Sequence, residues 1–142
     1  MAPVNFVRCE FQISVDSRKA VENLALPASV YAYCMLDPEI NVQAFAAMRT
    51  QPDAPLLLDV REPWEFQTAS LPDSVLIPMG EITSRAHTEL DPDQPIVVLC
   101  HHGARSLSVT MWLRNQGFEH AQSLAGGIDA WSRSIDSTVP RY

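Results

Sequence analysis

Short apolar runs separated by helix-like segments are the feature that most constrains the fold of this chain. Residues 56–60, apolar except at Asp59, and residues Ile96–Leu99 are the clearest of these runs. Runs of this kind suit strands that are covered on both faces by helices, as the strands of parallel sheets are. Strands that alternate with helices over short connections therefore predict an α/β fold with an open, mainly parallel sheet.

The other elements are predicted from caps, turns and periodicity. Asn41 can cap a helix over residues 42–49, and Pro63 is well placed as a first helical residue. Apolar residues at four-residue spacing give residues 82–90 one helical face. The sequence also predicts strands at 75–77 and 121–124 and helices at 107–116 and 128–134.

The stretch with the most evident chemistry reads Cys-His-His-Gly-Ala-Arg-Ser over residues 100–106. It lies between a predicted strand and a predicted helix, where an open α/β sheet places its ligands. A tight loop that leads into a helix can aim successive N–H groups at an anion. Because a thiol at the head of such a loop is ionised more readily, we predict that Cys100 is a nucleophile.

The residues around Cys100 suit the same chemistry. Gly103 supplies backbone freedom, and the planar cation of Arg105 suits an oxyanion. Ser106 is expected to cap the following helix. The two histidines are expected to line the rim of the pocket and to add pH-dependent positive charge. Substrate contact is thus predicted for His101, His102, Gly103, Ala104, Arg105 and Ser106.

Asp59 and Arg61 follow the first strand of the predicted core. Because neighbouring parallel strands end together, these two side chains could line the pocket and contact substrate. A structural role, with Asp59 as a capping acceptor and Arg61 as the partner of an acid, is about as well supported.

These motifs resemble the single-domain rhodanese-like sulfurtransferases. The resemblance rests on Cys100, Gly103, Arg105 and Ser106, on residues 57–62 upstream and on residues 126–131 downstream, and it covers about residues 39–134. It implies a rhodanese-like open sheet flanked by helices on both faces. It departs at residues 69–74, where the family often has Gly-His-Ile-Pro-Gly-Ala and this chain has Ala-Ser-Leu-Pro-Asp-Ser.

The resemblance also implies an activity, which is the transfer of sulfane sulfur from a donor such as thiosulfate through a Cys100 persulfide. The acceptor would be cyanide, a small thiol or a protein thiol, and no cofactor is required. Two alternatives stay open. Cysteine-dependent phosphatases and arsenate reductases use a similar loop, and a non-catalytic module could carry sulfur or bind a partner. Four residues separate Cys100 from Arg105, against five in the related phosphatases, which favours a cradle for one sulfur atom.

Charge and cysteine content limit the partners. A formal net charge of −7 argues against nucleic acid or an anionic membrane surface. Adjacent histidines are poorly spaced for zinc, so no metal is expected. The three cysteines include no pair at metal or redox spacing, and Cys9 and Cys34 are expected to be packing residues. No export signal is visible and segment 24–36 is too short to span a bilayer, so we expect a cytoplasmic protein.

Residues 1–36 lie outside the resemblance and are predicted to be an N-terminal extension of the domain formed by residues 37–142. Alternation over residues 7–15 predicts a half-buried strand, and residues 17–26 could form a short helix. The apolar face of that strand must be covered by something. It could extend the sheet or form the contact of a homodimer.

Overall fold

The computed structural model describes residues 36–142. In this range five strands alternate with five α-helices and one 3-10 turn at Met79–Glu81. The strands are β1 (Glu39–Ile40), β2 (Leu56–Asp59), β3 (Ser74–Leu76), β4 (Ile96–Leu99) and β5 (Ala121–Leu124). The helices are α1 (Val42–Met48), α2 (Pro63–Thr68), α3 (Ile82–Glu89), α4 (Ala104–Asn115) and α5 (Gly127–Ser134). The predicted strand at 7–15 and the predicted helix at 17–26 lie outside the described residues.

The strands form one sheet in the order β1-β5-β4-β2-β3, with every neighbouring pair parallel. This confirms the predicted α/β fold. β4 lies in the middle, paired with β2 on one side and β5 on the other. Asp59 pairs in register with Leu99, so the segments that follow β2 and β4 leave the same edge of the sheet. Cys100 directly follows β4 and Arg61 lies two residues after β2, so both residues are at this edge of the sheet.

Both faces of the sheet are covered. Successive residues of a strand point to opposite faces, so adjacent residues of β2 and β4 enter two different cores. One core holds Leu58 and Val98 with Ala86 of α3 and Leu113 of α4; the other holds Leu57 and Val97 with Phe45 of α1 and Ile128 of α5. This double coverage explains why the strand sequences are apolar without alternation.

The helix starts follow local signals in two cases. The Asn41 side chain accepts a hydrogen bond from the Ala44 N–H at 2.8 Å, which confirms the predicted cap of α1. Pro63 is the first residue of α2, as expected. Of the described helices, none is long and apolar enough to cross a membrane.

The sequence prediction was wrong at the start of α4. This helix begins at Ala104, three residues earlier than expected, and its N-cap is Gly103 with φ 106°. Ser106 is therefore inside the first turn and does not cap the helix. The short strand β1 was not predicted either, because two residues are too few to show alternation. β1 pairs with β5 through Glu39 and Ser123.

At residues 69–74, where the sequence differs from the pattern of the related family, the backbone accommodates the difference. Asp73 stands where the related family often has glycine, and it adopts φ 58°. Aspartate enters this left-handed region more easily than most residues because its short polar side chain can bond locally. The turn is also held by the Ser74 hydroxyl, which donates to the Leu71 carbonyl at 2.7 Å. The segment therefore reaches β3 without a glycine.

Candidate active site

Cys100 is placed at the carboxyl end of β4 and is enclosed by its own loop. Only 1% of the residue is exposed, so the loop rather than bulk water surrounds the sulfur. The Gly103 N–H donates to the Cys100 Sγ at 3.0 Å. The thiol in turn lies 3.3 Å from the Ser106 Oγ, which accepts its hydrogen. The loop thus presents both a donor and an acceptor to the same sulfur atom.

Ser106 is part of a buried hydroxyl pair beneath the sulfur. Its Oγ lies 2.8 Å from the Ser123 Oγ and 3.1 Å from the Gly103 carbonyl oxygen. Both serines have no exposed surface. The role predicted for Ser106 at the helix start is therefore corrected to a contact with Cys100, and Ser123 of β5 is a neighbour that the sequence did not indicate.

The Cys100 loop is hydrogen-bonded to the start of α5. The Ile128 N–H donates to the Cys100 carbonyl at 2.9 Å, and the Asp129 N–H donates to the His101 carbonyl at 3.2 Å. Gly127, with φ 61°, makes this approach possible, because a Cβ atom there would collide with both carbonyl oxygens. Gly127, the first residue of α5, therefore helps to set the position of the Cys100 loop.

The N-terminus of helix α4 provides an electrostatic field that favours an anion at Cys100. It is 12 residues long and starts at Ala104, directly after the loop. The first N–H groups of a helix have no partners within the helix, and the positive end of the helix dipole lies there. A negative charge on sulfur at the head of the loop is stabilised by this arrangement.

Arg105 is held by a residue from another element. Both of its terminal nitrogens donate to the Glu65 carboxylate of α2, each at 2.7 Å. Glu65 is only 4% exposed, and its carboxylate also accepts the Glu62 N–H at 2.9 Å. The hydrogen bonds from Arg105 lower the pKa of Glu65 to about 2, although burial opposes the shift. The pKa of Arg105 is raised in return.

Asp59 and Arg61 lie under the site as a fully buried ion pair. The Arg61 guanidinium donates to Asp59 at 2.6 and 2.9 Å and to the Ala69 carbonyl at 2.7 Å. The expectation that these side chains contact substrate is corrected by their burial, and the geometry is that of the structural alternative. Burial is the largest influence on the pKa of Arg61 and acts to lower it, but the hydrogen bonds that Arg61 donates to Asp59, with the charge of that carboxylate, help to keep the pKa raised.

The two histidines that follow Cys100 are more exposed than the cysteine, and their contact with substrate stays a prediction. Their rings stack with centroids 3.9 Å apart, and the His101 ring also stacks on Tyr142 at 4.2 Å. Burial, with a smaller contribution from His102, lowers the pKa of His101. The side chain of His102 is 66% exposed, and its Nδ1 lies 3.9 Å from the Asp129 carboxylate.

Besides Ser123, the sequence did not indicate two further residues of the site, Glu65 and Tyr142. The position of Glu65, three residues after Glu62 at the start of a helix, is typical of an acid that bonds back to the helix N-terminus. That signal predicts the bond to the Glu62 N–H and not the pairing with Arg105. Tyr142 carries no signal, because its contacts depend on how the last segment packs. Among residues 36–142 no group of three His, Cys, Asp or Glu side chains could hold a metal ion.

Comparison with known proteins identifies one family. The family model described as the rhodanese-like domain matches residues 41–134. The putative sulfur carrier protein YrkF of Bacillus subtilis (strain 168) is 35% identical over 95 residues, which are 67% of this chain and 51% of that protein. The adenylyltransferase and sulfurtransferase MOCS3 of Drosophila persimilis is 36% identical over 114 residues, which are 75% of this chain and 25% of that protein. The chain thus spans about half or less of the length of these relatives.

A solved structure has the same architecture. The crystal structure of a rhodanese-related protein from Thermoplasma volcanium superposes with a TM-score of 0.61 at 30% sequence identity. The match covers 70% of this chain and 94% of that chain. The five-stranded sheet and its flanking helices are therefore those of a known fold.

Proposed function

Because the chain belongs to the family of rhodanese-like domains, we propose that it transfers sulfane sulfur through a persulfide on Cys100. The observation that carries the proposal is the position of the Cys100 Sγ, 3.0 Å from the Gly103 N–H at the start of α4. Donors at this place stabilise a charged sulfur, which is what both the attacking thiolate and the persulfide require.

The reaction has two displacement steps. In the first, the Cys100 thiolate attacks the outer sulfur of thiosulfate, the sulfur–sulfur bond of the donor breaks, and sulfite leaves with the bonding electron pair. In the second, cyanide or the thiolate of an acceptor attacks the outer sulfur of the persulfide. The bond to the Cys100 sulfur breaks, and the Cys100 thiolate is regenerated. No electrons are gained or lost overall, so no redox cofactor is needed.

The surrounding residues have separate roles in this scheme. The loop N–H groups and the dipole of α4 stabilise the charge on sulfur, and Arg105 attracts an anionic donor. The His101 and His102 rings line the entrance. Because the chain carries a net charge of −7, an anionic donor is attracted only by this local field. The Ser106 hydroxyl, which is hydrogen-bonded to Ser123, accepts the hydrogen of the resting thiol.

A sulfur-carrier role is the second candidate, and it is favoured by the similarity to a putative sulfur carrier protein. A carrier would form the same persulfide but release it only to a partner protein. Phosphatase or arsenate reductase chemistry is less well supported, because only four residues separate Cys100 from Arg105, one fewer than in the related phosphatases. The shorter loop suits one sulfur atom better than a tetrahedral phosphoryl group. The predicted cytoplasmic location and the homodimer remain proposals.

The test is intact mass spectrometry of the purified chain after incubation with thiosulfate. We expect the mass of one sulfur atom to be added, and then lost when cyanide or a thiol is supplied. Cys100→Ser should not gain this mass, whereas Cys9→Ser and Cys34→Ser should behave as the wild type. Sulfur that is gained but not discharged by small acceptors would indicate the carrier. Absence of the mass gain, together with hydrolysis of an aryl phosphate, would replace the proposal with a phosphatase.

A further inference from the structure

Tyr142 lies beyond the segment that matches the family model, residues 41–134, yet it contacts the site on two sides. Its hydroxyl lies 2.6 Å from a terminal nitrogen of Arg61 and 3.1 Å from the Glu65 Oε1. Its ring stacks on His101, with a centroid distance of 4.2 Å and an angle of 16°. The Trp64 ring packs edge-on against it at 5.9 Å. Family membership alone therefore gives no account of this residue.

The direction of the two hydrogen bonds follows from their partners. A guanidinium has only donors, so Arg61 must donate to the phenol oxygen. The phenol proton is then available for Glu65, whose carboxylate has only acceptors. Arg61 is itself fixed by Asp59 in the buried ion pair. Tyr142 thus connects that rigid pair to the carboxylate that holds Arg105.

The bond to Glu65 has a consequence for Arg105. The Glu65 Oε1 is shared between Tyr142 and one terminal nitrogen of Arg105, which lies at 2.7 Å. Without the phenol, this oxygen would have Arg105 as its remaining donor and would bind it more strongly. The Arg105 guanidinium would then be less available to an incoming anion, since the carboxylate competes for the same N–H groups.

We propose that Tyr142 is a positioning residue, which acts through Glu65 to keep Arg105 available to anionic substrates of Cys100. The proposal rests on the proposed function only in the identity of the anion, a sulfane donor such as thiosulfate. The ring of Tyr142 has a second role, because it stacks on the His101 ring and supports it. The hydroxyl and the ring can be tested separately, since Tyr142→Phe removes only the hydroxyl and Tyr142→Leu removes both.

The experiment compares an anionic and a neutral reagent at the same thiol. Alkylation of Cys100 by iodoacetate and by iodoacetamide is followed by peptide mass spectrometry, and the ratio of the two rates measures the attraction of the site for an anion. Persulfide formation from thiosulfate is measured in parallel under single-turnover conditions. We expect Tyr142→Phe to lower the alkylation ratio and the rate of persulfide formation by about threefold to tenfold, which is the range for one ordinary hydrogen bond, because the phenol acts on Arg105 only through Glu65. Discharge of the persulfide by neutral thiols should change less than about twofold.

Combining Tyr142→Phe with a change at Glu65 distinguishes a positioning role of Tyr142 from a general effect of the substitution on the structure. In the Glu65→Gln background, Tyr142→Phe should change the alkylation ratio by less than about twofold, because the carboxylate through which it acts is absent. If Glu65→Gln does not fold, the Arg105→Ala background serves the same purpose, because it removes the guanidinium on which Tyr142 is proposed to act. Ile135→Ala is the matched control, because Ile135 has the same 37% exposure as Tyr142 and lies at the end of α5, where its N–H bonds to the Trp131 carbonyl. Its ratio should equal that of the wild type.

Two results would overturn the proposal. One is an unchanged alkylation ratio in Tyr142→Phe, which includes an equal loss of rate with both reagents, and the other is an undiminished effect of Tyr142→Phe in the Glu65→Gln background. A wild-type chain that gains no sulfur from thiosulfate would contradict the proposed function instead. The alkylation ratios would still decide the role of Tyr142, because they do not depend on the sulfur donor.

Discussion

The Glu65 carboxylate binds both terminal nitrogens of Arg105 at 2.7 Å, although the two residues are 40 positions apart in the sequence. One comes from α2, which follows β2, and the other from α4, which follows β4. Since β2 and β4 are neighbouring parallel strands, the two helices start at the same edge of the sheet. An anion that approaches Cys100 therefore meets a guanidinium whose orientation is already fixed by the protein.

Arg105→Lys should slow persulfide formation by about tenfold, because an ammonium group cannot make the two parallel contacts of a guanidinium. The effect should fall mainly on the donor step, which single-turnover rates of formation and discharge would separate. Arg85→Lys is the matched control, since the Arg85 side chain is also 35% exposed and paired with glutamates but lies on α3, away from the loop. Unchanged persulfide formation in Arg105→Lys would refute the role given to Arg105.

Acid should weaken the fold through Glu65. The pKa of this carboxyl is about 2 in the folded chain against an ordinary value of 4.5. A carboxyl whose pKa is depressed by folding stabilises the folded state above its unfolded pKa, and this contribution is lost as pH falls from 4.5 towards 2. Because Arg105 is partly exposed, we expect the contribution to be about 1 to 3 kcal/mol.

Denaturant unfolding of the wild type and of Glu65→Gln at a series of pH values would measure this contribution. Near pH 7 the wild type should be the more stable of the two, and the difference in free energy of unfolding should shrink as the carboxylate is protonated in acid. A difference that stays constant down to about pH 2 would show that Glu65 is not the group responsible.

Gly127→Ala should displace the Cys100 loop. The added methyl group would collide with the carbonyl oxygens of Cys100 and His101, which accept hydrogen bonds from the start of α5. We expect a loss of about 1 to 3 kcal/mol in the free energy of unfolding, with a slower reaction at Cys100. Thermal melting and the alkylation rate of Cys100 would measure both effects.

Gly80→Ala provides the comparison for that variant. Gly80 has nothing within 4 Å of the position a Cβ atom would take, and it does not have a positive φ. Stability and alkylation rate should therefore match those of the wild type. An equal loss in both variants would mean that crowding at Gly127 is not the cause.

A shortened chain that begins at Met35 should retain Cys100 chemistry, because residues 36–142 include the five described strands and the loop that holds Cys100. The predicted strand at residues 7–15 should nevertheless stabilise the full chain, since each large apolar side chain that is buried contributes about 1.5–3 kcal/mol. Melting temperature, light scattering and persulfide yield should be compared between the two chains. Equal stability and assembly would show that the extension is dispensable, and lost persulfide yield in a folded short chain would place the extension at the active site.

The sequence by itself determined the alternation of strands and helices and the position of Cys100. Uninterrupted apolar runs such as Ile96–Leu99 indicate strands that are buried on both faces. The residues from Cys100 to Arg105 are contiguous in the sequence, so their N–H groups can face one anion without a contribution from a distant part of the chain. Caps are local too, which is why Asn41 was identified correctly. The start of α4 was placed wrongly, because a glycine at φ 106° can cap a helix and serine is the more frequent signal.

Only the tertiary structure decided what the charged side chains around the loop do. Whether Arg61 contacts substrate or forms a buried pair with Asp59 depends on what covers it, and in the structure Tyr142 and the α2 segment do so. The pairing of Arg105 with Glu65 likewise follows from parallel strands that end at one edge of the sheet. Contacts between residues distant in the chain leave no periodic pattern in the sequence, since they arise from the order of strands and not from local backbone preference.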